Sequence, residues 1–491
     1  MLEVITVFII LILCLYHYWK SRPCASNFPG PAGIPLFGVF FNVDLNRLHL
    51  KLYEWTLIYG NIFQFSVFGK SYISLNSADV IRDVLGLEPN ATITASREPS
   101  FFGEYCLENY SDIVFSPYDE EWARRRKIGH QLLHTYGVGM HFLEDEILQK
   151  LADMKQFIRE NEGKDLDPHD MVEEFLFKNL SSLVAGTTDP QLQRLMKEVD
   201  ENANEIASPM VDLIFRMFPF LRFLPLSVAR KPSLVKFCMD EMLKIIKELT
   251  NEGNIERGIY YELKNAKERH GLHFTDNHIK AILVNIIGAG FLTSRGTLMS
   301  LILLLAKHPK IQTKIQSEID DVIGEREAHI KDRNSCPLTE AVILETLRYI
   351  SHAPLAIPHY TSEDCIISGR TVGKGTTIIT NLWTNNHSDE WHDPFVFRPE
   401  RFMDDSGLLL PATHPTRKRL LVFGFGKRAC LGEVFAKNRT FLFLATMMQT
   451  CIIRKPLREE LSDLDPRMMM PGVVLQPPPY KVQFKLRERV L

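Results

Sequence analysis

The 491-residue sequence contains no two cysteines close enough to form a CxxC pair. Its eight cysteines are scattered singly along the chain, so a zinc site built from paired thiols is not expected. A disulfide framework is not indicated either, because isolated thiols are typical of a reducing compartment. We therefore expect most of these cysteines to be small buried hydrophobic residues.

The sequence also lacks a low-complexity linker, an internal repeat and an excess of charge of either sign. Its 57 basic and 60 acidic residues give a net charge of −3, so nucleic acid is not an expected partner. The length by itself suggests two or three domains, because a single core rarely grows beyond about 250–300 residues. No segment of the sequence marks a boundary between such domains.

A long apolar run, Leu2–Trp19, opens the sequence, and Lys20 and Arg22 follow it directly. A membrane-spanning helix needs about 20 apolar residues, so the run is long enough. A cleaved signal peptide is the alternative, but its basic residues would precede the apolar run. We predict an uncleaved anchor over residues 1–20, and the positive-inside rule then places the remaining chain in the cytosol.

Residues 21–38 form a basic and Pro/Gly-rich segment that cannot continue the helix. We interpret this segment as a stiff hinge, with a solvated spacer as the alternative. The remainder is mainly α, because apolar residues recur at spacings of three and four, and short β-rich pieces predict small sheets. The predicted helical stretches are 147–160, 232–249, 276–307, 310–323, 338–350 and 433–450, and the β-rich pieces are 61–76 and 374–383.

The segment FGFGKRACLGEVFAKNRTFLFL places Cys430 in a glycine-rich, basic loop directly before a predicted helix. Gly424, Gly426 and Gly432 permit backbone conformations or close approaches that a Cβ atom would forbid. The start of a helix favours a thiolate, and its free N–H groups can donate to sulfur. The alternative is a buried cysteine in a glycine turn, but a loop of this kind also suits axial ligation of haem iron by a thiolate.

Five residues of this loop, Phe423, Gly426, Arg428, Cys430 and Gly432, match every fixed position of the haem-thiolate signature F-x-x-G-x-R-x-C-x-G. On these residues the sequence resembles a microsomal cytochrome P450 of the animal type. The resemblance implies a cytochrome P450-like helical body with small β-sheets, preceded by an N-terminal transmembrane helix. It also implies haem b with an axial cysteine thiolate, and a single haem-binding catalytic domain over residues 39–491 despite the length.

Further motifs occur in the order that the family keeps. The ETLR segment supplies Glu345 and Arg348, which lie three residues apart and therefore on one helical face. The PERF segment supplies Arg401. The resemblance joins these three residues in a buried structural network beneath the haem, and a buried charge cluster persists only when it is fully paired.

Donor groups are expected around the haem propionates, because charge-assisted hydrogen bonds favour carboxylates. By resemblance these groups are Trp122 and Arg126 in the WARRR segment, His359 in AIPHY, and Arg428 beside the cysteine. Phe423, at the start of the cysteine loop, is implied to contact the cofactor as well.

The central helix reads AGFLT where the family usually has A/G-G-x-D/E-T. Ala289 and Gly290 are implied to leave space beside the haem, and Thr293 to hydrogen-bond dioxygen and relay protons. Leu292 stands where the family keeps an acid, and a leucine cannot deliver protons. Water together with Thr293 or Ser294 would then carry them.

The resemblance implies a monooxygenase that inserts one oxygen atom from O2 into a lipophilic substrate such as a steroid, a fatty acid or a xenobiotic. Electrons would come from an NADPH-cytochrome reductase, with cytochrome b5 as an additional candidate donor. The protein would be a single-pass protein of the endoplasmic reticulum membrane with its catalytic domain in the cytosol. Leu292 leaves two alternatives open, which are an isomerase or dehydratase acting on lipid peroxides and a non-catalytic haem-binding sensor.

An apolar pocket is expected for such a substrate, and an acidic reductase would need a basic docking surface. The pocket residues implied by resemblance are Phe291, Leu355, Ala356, Ile357 and Val473 within the segment Gly472–Leu475. The residues expected to form the basic surface are Lys127, Lys427, Lys437 and Arg439.

Overall fold

The computed structural model describes residues 27–134, 141–225, 227–253, 255–270, 275–461 and 464–488. The predicted membrane anchor at residues 1–20 lies outside the described residues and stays a prediction. Among the described helices, Asp276–Lys307 alone has the length and hydropathy to cross a membrane. Because 78% of its most apolar window is buried inside the protein, it is a core helix.

Helices make up most of the described chain, and each of the six predicted amphipathic stretches falls on an observed helix, whereas the long helices 120–134, 169–185 and 190–206 were not predicted. Two predicted stretches, 276–307 and 433–450, agree with the observed helices at both ends. The helices are α1 Leu48–Tyr59, α2 Ala78–Gly86, α3 Asn90–Ile93, α4 Glu120–His134, α5 His141–Glu160, α6 His169–Ala185, α7 Pro190–Ile206, α8 Pro209–Met217, α9 Ser227–Glu252, α10 Ile259–His270, α11 Asp276–Lys307, α12 Pro309–Val322, α13 Pro337–Ile350, α14 Leu382–Asn386, α15 Pro415–Arg419 and α16 Glu433–Thr450.

The strands form one five-stranded sheet and two short ladders at the margin of the helical body. The β-rich piece 61–76 forms an antiparallel hairpin, and the piece 374–383 contributes a central strand that pairs with it in parallel. The strands are β1 Ile62–Val67, β2 Lys70–Leu75, β3 Ser96–Arg97, β4 His359–Tyr360, β5 Cys365–Ile367, β6 Arg370–Val372, β7 Thr377–Thr380, β8 Cys451–Arg454 and β9 Gln483–Leu486. The five-stranded order is β1-β2-β7-β4-β3, and β5 pairs with β6 and β8 with β9.

The described part of the predicted hinge follows the edge of the five-stranded sheet. The Gln64 N–H donates to the Pro29 carbonyl oxygen at 2.9 Å, and Gly38 bridges to Val67. A Cβ atom on Gly30 would lie 1.8 Å from the Gln64 carbonyl oxygen, so only glycine allows this approach. The segment 27–38 therefore contacts the sheet edge near Pro29 and at Gly38, while most of its residues are exposed.

Capping and the following proline fix the ends of the central helix α11, and its apolar composition places it in the interior. The Thr275 side chain accepts from the His278 N–H in a capping box, which satisfies donors at the helix start. The helix ends at Lys307, two residues before Pro309 begins the next helix. Apolar residues surround most of its length and belong to the largest hydrophobic cluster, so α11 runs through the interior and contacts α16, the helix that follows Cys430.

The predicted charge network is present and fully buried. Arg348 donates to both carboxylate oxygens of Glu345, at 2.7 and 2.8 Å, and Arg401 Nε donates to Glu345 at 3.2 Å. The backbone N–H of Arg398 adds a further donor at 2.9 Å. The Glu345 carboxylate is thus saturated with donors, and the network joins α13 to the PERF segment.

We expect Glu345→Gln to lower the free energy of unfolding by about 3–5 kcal/mol, because it leaves two buried guanidinium groups without their carboxylate. Glu400→Gln is the matched control, since Glu400 lies in the same PERF segment and its side chain is 51% exposed. Urea unfolding of both variants measures the effect. Equal midpoints for the two variants would show that the network does not stabilise the fold.

Candidate functional site

The loop around Cys430 is closed by a backbone hydrogen bond and by close packing. The Cys430 N–H donates to the Phe423 carbonyl oxygen at 2.7 Å. Gly424 and Gly426 have φ angles of +74° and +73°, which side chains rarely adopt. A Cβ atom on Gly426 would also lie 2.2 Å from the Leu85 carbonyl oxygen, so the loop requires glycine there.

The thiol of Cys430 is exposed, whereas the other cysteines of the described residues are all buried. Burial nevertheless raises its pKa, against the opposing effects of the Gly432 N–H, Arg126 and Lys437. A side chain that is both accessible and surrounded by protein faces an internal opening rather than bulk solvent. The protein surroundings alone thus raise the pKa of the thiol, and a coordinated metal ion would deprotonate it.

Helix α11 has an accessible stripe in the middle of its buried length. Ile286, Ala289 and Thr293 lie three and four residues apart, on one face, and are not buried, with Ala289 the most accessible. The Thr293 hydroxyl donates to the Ala289 carbonyl oxygen at 2.7 Å. Because α11 contacts α16, we infer that this stripe and Cys430 line the same internal opening.

Gly290 does not face this opening. A Cβ atom on Gly290 would lie 3.0 Å from Leu180 in α6, so the glycine permits close helix packing. The expectation that Gly290 leaves space beside a cofactor is wrong for this reason, and Ala289 is the small residue on the accessible side.

Three arginines, Arg97, Arg126 and Arg428, form a cation cluster near the cysteine loop. Their donors bind backbone carbonyl oxygens, and no described carboxylate forms an ion pair with any of them. Burial and mutual repulsion lower the pKa of Arg428 to about 8 and that of Arg97 to about 9. The buried Asp112 carboxylate opposes this lowering but forms no ion pair with the cluster, and the two propionates of haem would supply further negative charge.

Arg97 was not identified from the sequence, because a single arginine in the segment ASREP carries no motif. The fold brings it to the cluster through strand β3, and its guanidinium donates to the carbonyl oxygen of Ile357 at 2.5 Å. The Ile357 carbonyl lies in the loop predicted to line the pocket, so Arg97 joins the cation cluster to that loop.

Trp122 and His359 lie at the cluster with their donors already engaged. The Trp122 indole N–H donates to the Ile113 carbonyl oxygen at 2.9 Å, and the Arg428 guanidinium lies 3.8 Å from the indole ring centroid. Trp122 therefore orients Arg428 through its ring face. His359 Nδ1 contacts the Thr94 carbonyl oxygen at 2.8 Å, and burial holds the His359 pKa well below its ordinary value.

The predicted pocket segments lie side by side, with one exception. The Leu475 N–H donates to the His352 carbonyl oxygen at 2.8 Å, which joins the segment containing Val473 to the loop after α13. That loop includes Leu355, Ala356 and Ile357, all partly accessible.

Phe291 is the exception among the predicted pocket residues. Its ring is fully buried and stacks on Phe177 with the ring centroids 4.0 Å apart. It packs against α6, so we do not retain it among the residues that line the opening.

The four residues predicted to form a basic surface differ in exposure and pairing. Lys127 is exposed, Lys427 pairs with Glu88 at 3.0 Å, and Lys437 pairs with Glu433 at 2.5 Å. Arg439 is only 1% exposed, so its assignment to the surface is wrong.

Comparisons with known proteins agree over nearly the whole chain. The cytochrome P450 family model matches residues 28–484. The chain is 28% identical to cytochrome P450 2D3 of Rattus norvegicus, covering 98% of this chain and 97% of the relative. It is 29% identical to cytochrome P450 2K4 of Oncorhynchus mykiss, with coverage of 92% and 90%. It is 30% identical to steroid 17-alpha-hydroxylase/17,20 lyase of Ictalurus punctatus, with coverage of 94% and 91%.

We expect Gly426→Ala to destabilise the protein more than Gly407→Ala. Both glycines have positive φ, but a Cβ atom on Gly407 meets nothing within 4 Å. The control should therefore cost only about 1–2 kcal/mol of backbone strain, while Gly426→Ala adds a backbone clash. Thermal unfolding distinguishes the two variants, and equal melting temperatures would contradict the tight loop closure described above.

We expect Arg97→Leu to weaken haem binding by about tenfold or more, because it removes one charge-assisted donor from the propionate site. Arg124→Leu is the control, since Arg124 is 59% exposed and pairs with Glu121. Transfer of haem to an excess of a haem-scavenging protein measures the loss. Equal transfer rates for both variants would remove Arg97 from the propionate site.

Proposed function

The chain belongs to the cytochrome P450 family, whose members bind haem b through a cysteine thiolate, and we propose that it oxygenates a lipophilic small molecule. As a haem-thiolate monooxygenase it would insert one oxygen atom from O2 into that substrate. Electrons would come from an NADPH-dependent flavoprotein reductase.

The observation that carries this proposal is the position of Cys430. Its thiol is the accessible one among the described cysteines, and it is presented by a loop that requires Gly426. The accessible stripe of α11 with Thr293 supplies a second wall. The cation cluster of Arg97, Arg126 and Arg428 supplies counter-charges for an anionic cofactor.

Haem bound at this site would supply the redox chemistry that activates oxygen. Cys430 would hold the iron, and the Gly432 N–H would donate to its sulfur, which moderates the electron density on the ligand. Arg97, Arg126 and Arg428 would bind the propionates and fix the plane of the cofactor.

Thr293 is the residue that we propose for proton relay, in preference to Ser294. The Thr293 hydroxyl lies on the accessible stripe, while Ser294 is buried and its hydroxyl contacts Arg439. The Leu292 side chain is 9% exposed and carries no proton. Protons must therefore reach Thr293 through water.

The substrate class is proposed from the character of the adjoining loops. Leu355, Ala356, Ile357 and Val473 offer apolar or small side chains, which favour lipophilic ligands. The resemblance to a steroid hydroxylase makes a steroid one candidate, beside fatty acids and xenobiotic-like molecules.

The reductase would dock on the side of the molecule that carries the cysteine loop. Lys127, Lys427 and Lys437 lie on or next to that loop and α16, and basic groups attract an acidic partner. Cytochrome b5 is a second candidate for the same surface.

The family relatives suggest association with the endoplasmic reticulum membrane. We propose that residues 1–20 cross that membrane once and that residues 21–38 connect the span to a cytosolic catalytic domain. The contacts of Pro29 and Gly38 with the sheet edge would hold the body at a fixed tilt to the bilayer.

The test is turnover of the purified holoprotein with an NADPH-dependent flavoprotein reductase and isotopically labelled dioxygen. Candidate lipids are first selected by their effect on the haem spectrum. One labelled oxygen atom in the product supports the proposal. Conversion of a lipid peroxide without reductase would favour the isomerase, and spectral binding without any turnover would favour the sensor.

We expect Thr293→Ala to lower product formation by about 10²-fold, the smaller end of what a positioned proton donor contributes, while NADPH consumption continues. Thr297→Ala is the matched control. Its hydroxyl makes the same kind of bond one turn later, to the Thr293 carbonyl oxygen at 2.8 Å, and its side chain is buried. Similar losses in both variants would indicate a helix defect instead of a lost relay.

A further inference from the structure

A buried arginine joins the helix that follows the cysteine loop to the helix that carries Thr293. Arg439 lies on α16, and its Nη2 donates to the Gly290 carbonyl oxygen of α11 at 2.9 Å and also contacts Ser294 Oγ. Its Nη1 donates to Asn179 Oδ1 of α6 at 3.2 Å. One guanidinium group thus binds three helices.

The charge of Arg439 has no counter-ion among the described residues. Its three hydrogen-bonding partners are an amide, a carbonyl and a hydroxyl, all neutral. Burial alone lowers its pKa, to about 9, so the side chain keeps its positive charge at neutral pH. A buried charge without a partner is costly, and hydrogen bonds to neutral dipoles offset only part of that cost.

The other buried or partly buried arginines of this region each have a source of negative charge. Arg348 and Arg401 share Glu345, and Arg295 pairs with Glu173 at 2.8 Å. The cation cluster beside the cysteine loop would be neutralised by the haem propionates. Arg439 is therefore the cation that the proposed mechanism leaves uncompensated.

The location of Arg439 connects its charge to the oxygen-binding side of the site. Gly290 and Ser294, its two partners on α11, flank Thr293 in sequence, and Ala289 on the accessible stripe precedes them. The side chain of Leu292, on the same turn of the helix, has no carboxylate that could compensate the charge of Arg439. A charge in a water-poor interior is screened less than one in solvent, and Arg439 contacts the same stretch of α11 that carries Ala289 and Thr293.

We propose that Arg439 provides an uncancelled positive charge that makes the distal side of the haem favour anionic ligands over neutral ones. The proposal rests on haem binding at Cys430. It adds an electrostatic role for this chain's own arginine to the proposed function, since a nearby cation stabilises negative charge that develops as oxygen is reduced.

The test compares an anionic and a neutral ligand on the ferric holoprotein. Azide and imidazole are titrated separately, and binding is followed by the haem absorption spectrum. We expect Arg439→Gln to lower the ratio of azide to imidazole affinity by about tenfold. Arg439→Lys keeps the charge and should keep the ratio within about twofold of the wild type.

A second pair of variants tests the charge while leaving Arg439 in place. Ser294→Asp places a carboxylate against the guanidinium, cancels its charge and should lower the same ratio. Ser294→Ala removes the hydroxyl contact without changing charge and should leave the ratio unchanged. This pair decides the question if Arg439→Gln does not retain haem.

Parallel changes in azide and imidazole affinity would overturn the proposal, because they indicate a structural role alone. An unchanged ratio in both Arg439→Gln and Ser294→Asp would overturn it as well. These titrations need no reductase or substrate. A haem protein with the expected ratios but no turnover would therefore contradict the proposed monooxygenase and leave the role of Arg439 intact.

Discussion

The hydrogen bond from the Cys430 N–H to the Phe423 carbonyl oxygen is the constraint on which the rest of the site depends. It closes the loop while the Leu85 carbonyl leaves no space for a Cβ atom at Gly426. The thiol is consequently held on the accessible inner side of the loop, where burial raises its pKa. A coordinated metal ion deprotonates a thiol, so the fold positions the sulfur and the cofactor would ionise it.

Buried positive charge is distributed around this loop in three different ways. Glu345 binds two arginines at once, which compensates for the burial of their charges. The cluster of Arg97, Arg126 and Arg428 binds carbonyl oxygens, and haem propionates would supply negative charge to it. Among the described residues, Arg439 has only neutral hydrogen-bonding partners. The first arrangement supports the fold, the second suits the cofactor, and the third is an electrostatic contribution to the site.

Helix α11 shows what the apolar pattern of a sequence can predict, which is the bounds of a helix, and what it cannot, which is the role of each residue on that helix. The apolar spacing predicted its bounds, and they were confirmed. The roles of neighbouring positions were harder to predict, because successive residues on a helix point about 100° apart. Ala289 and Thr293 share the accessible face, whereas Gly290 and Phe291 pack against α6. Which face meets the opening depends on the helices around α11.

The sequence by itself determined the features that reside in local chemistry. These are the amphipathic helices, the hairpin at 61–76, the permissive loop around Cys430 and the i,i+3 pair of Glu345 and Arg348. The tertiary structure alone decided the membership of Arg97 in the cation cluster, the burial of Arg439 and the packing roles of Gly290 and Phe291. The reason is that burial and ion pairing depend on residues hundreds of positions apart. The sequence specifies which chemical groups a segment carries, and only tertiary packing specifies which other residues those groups contact.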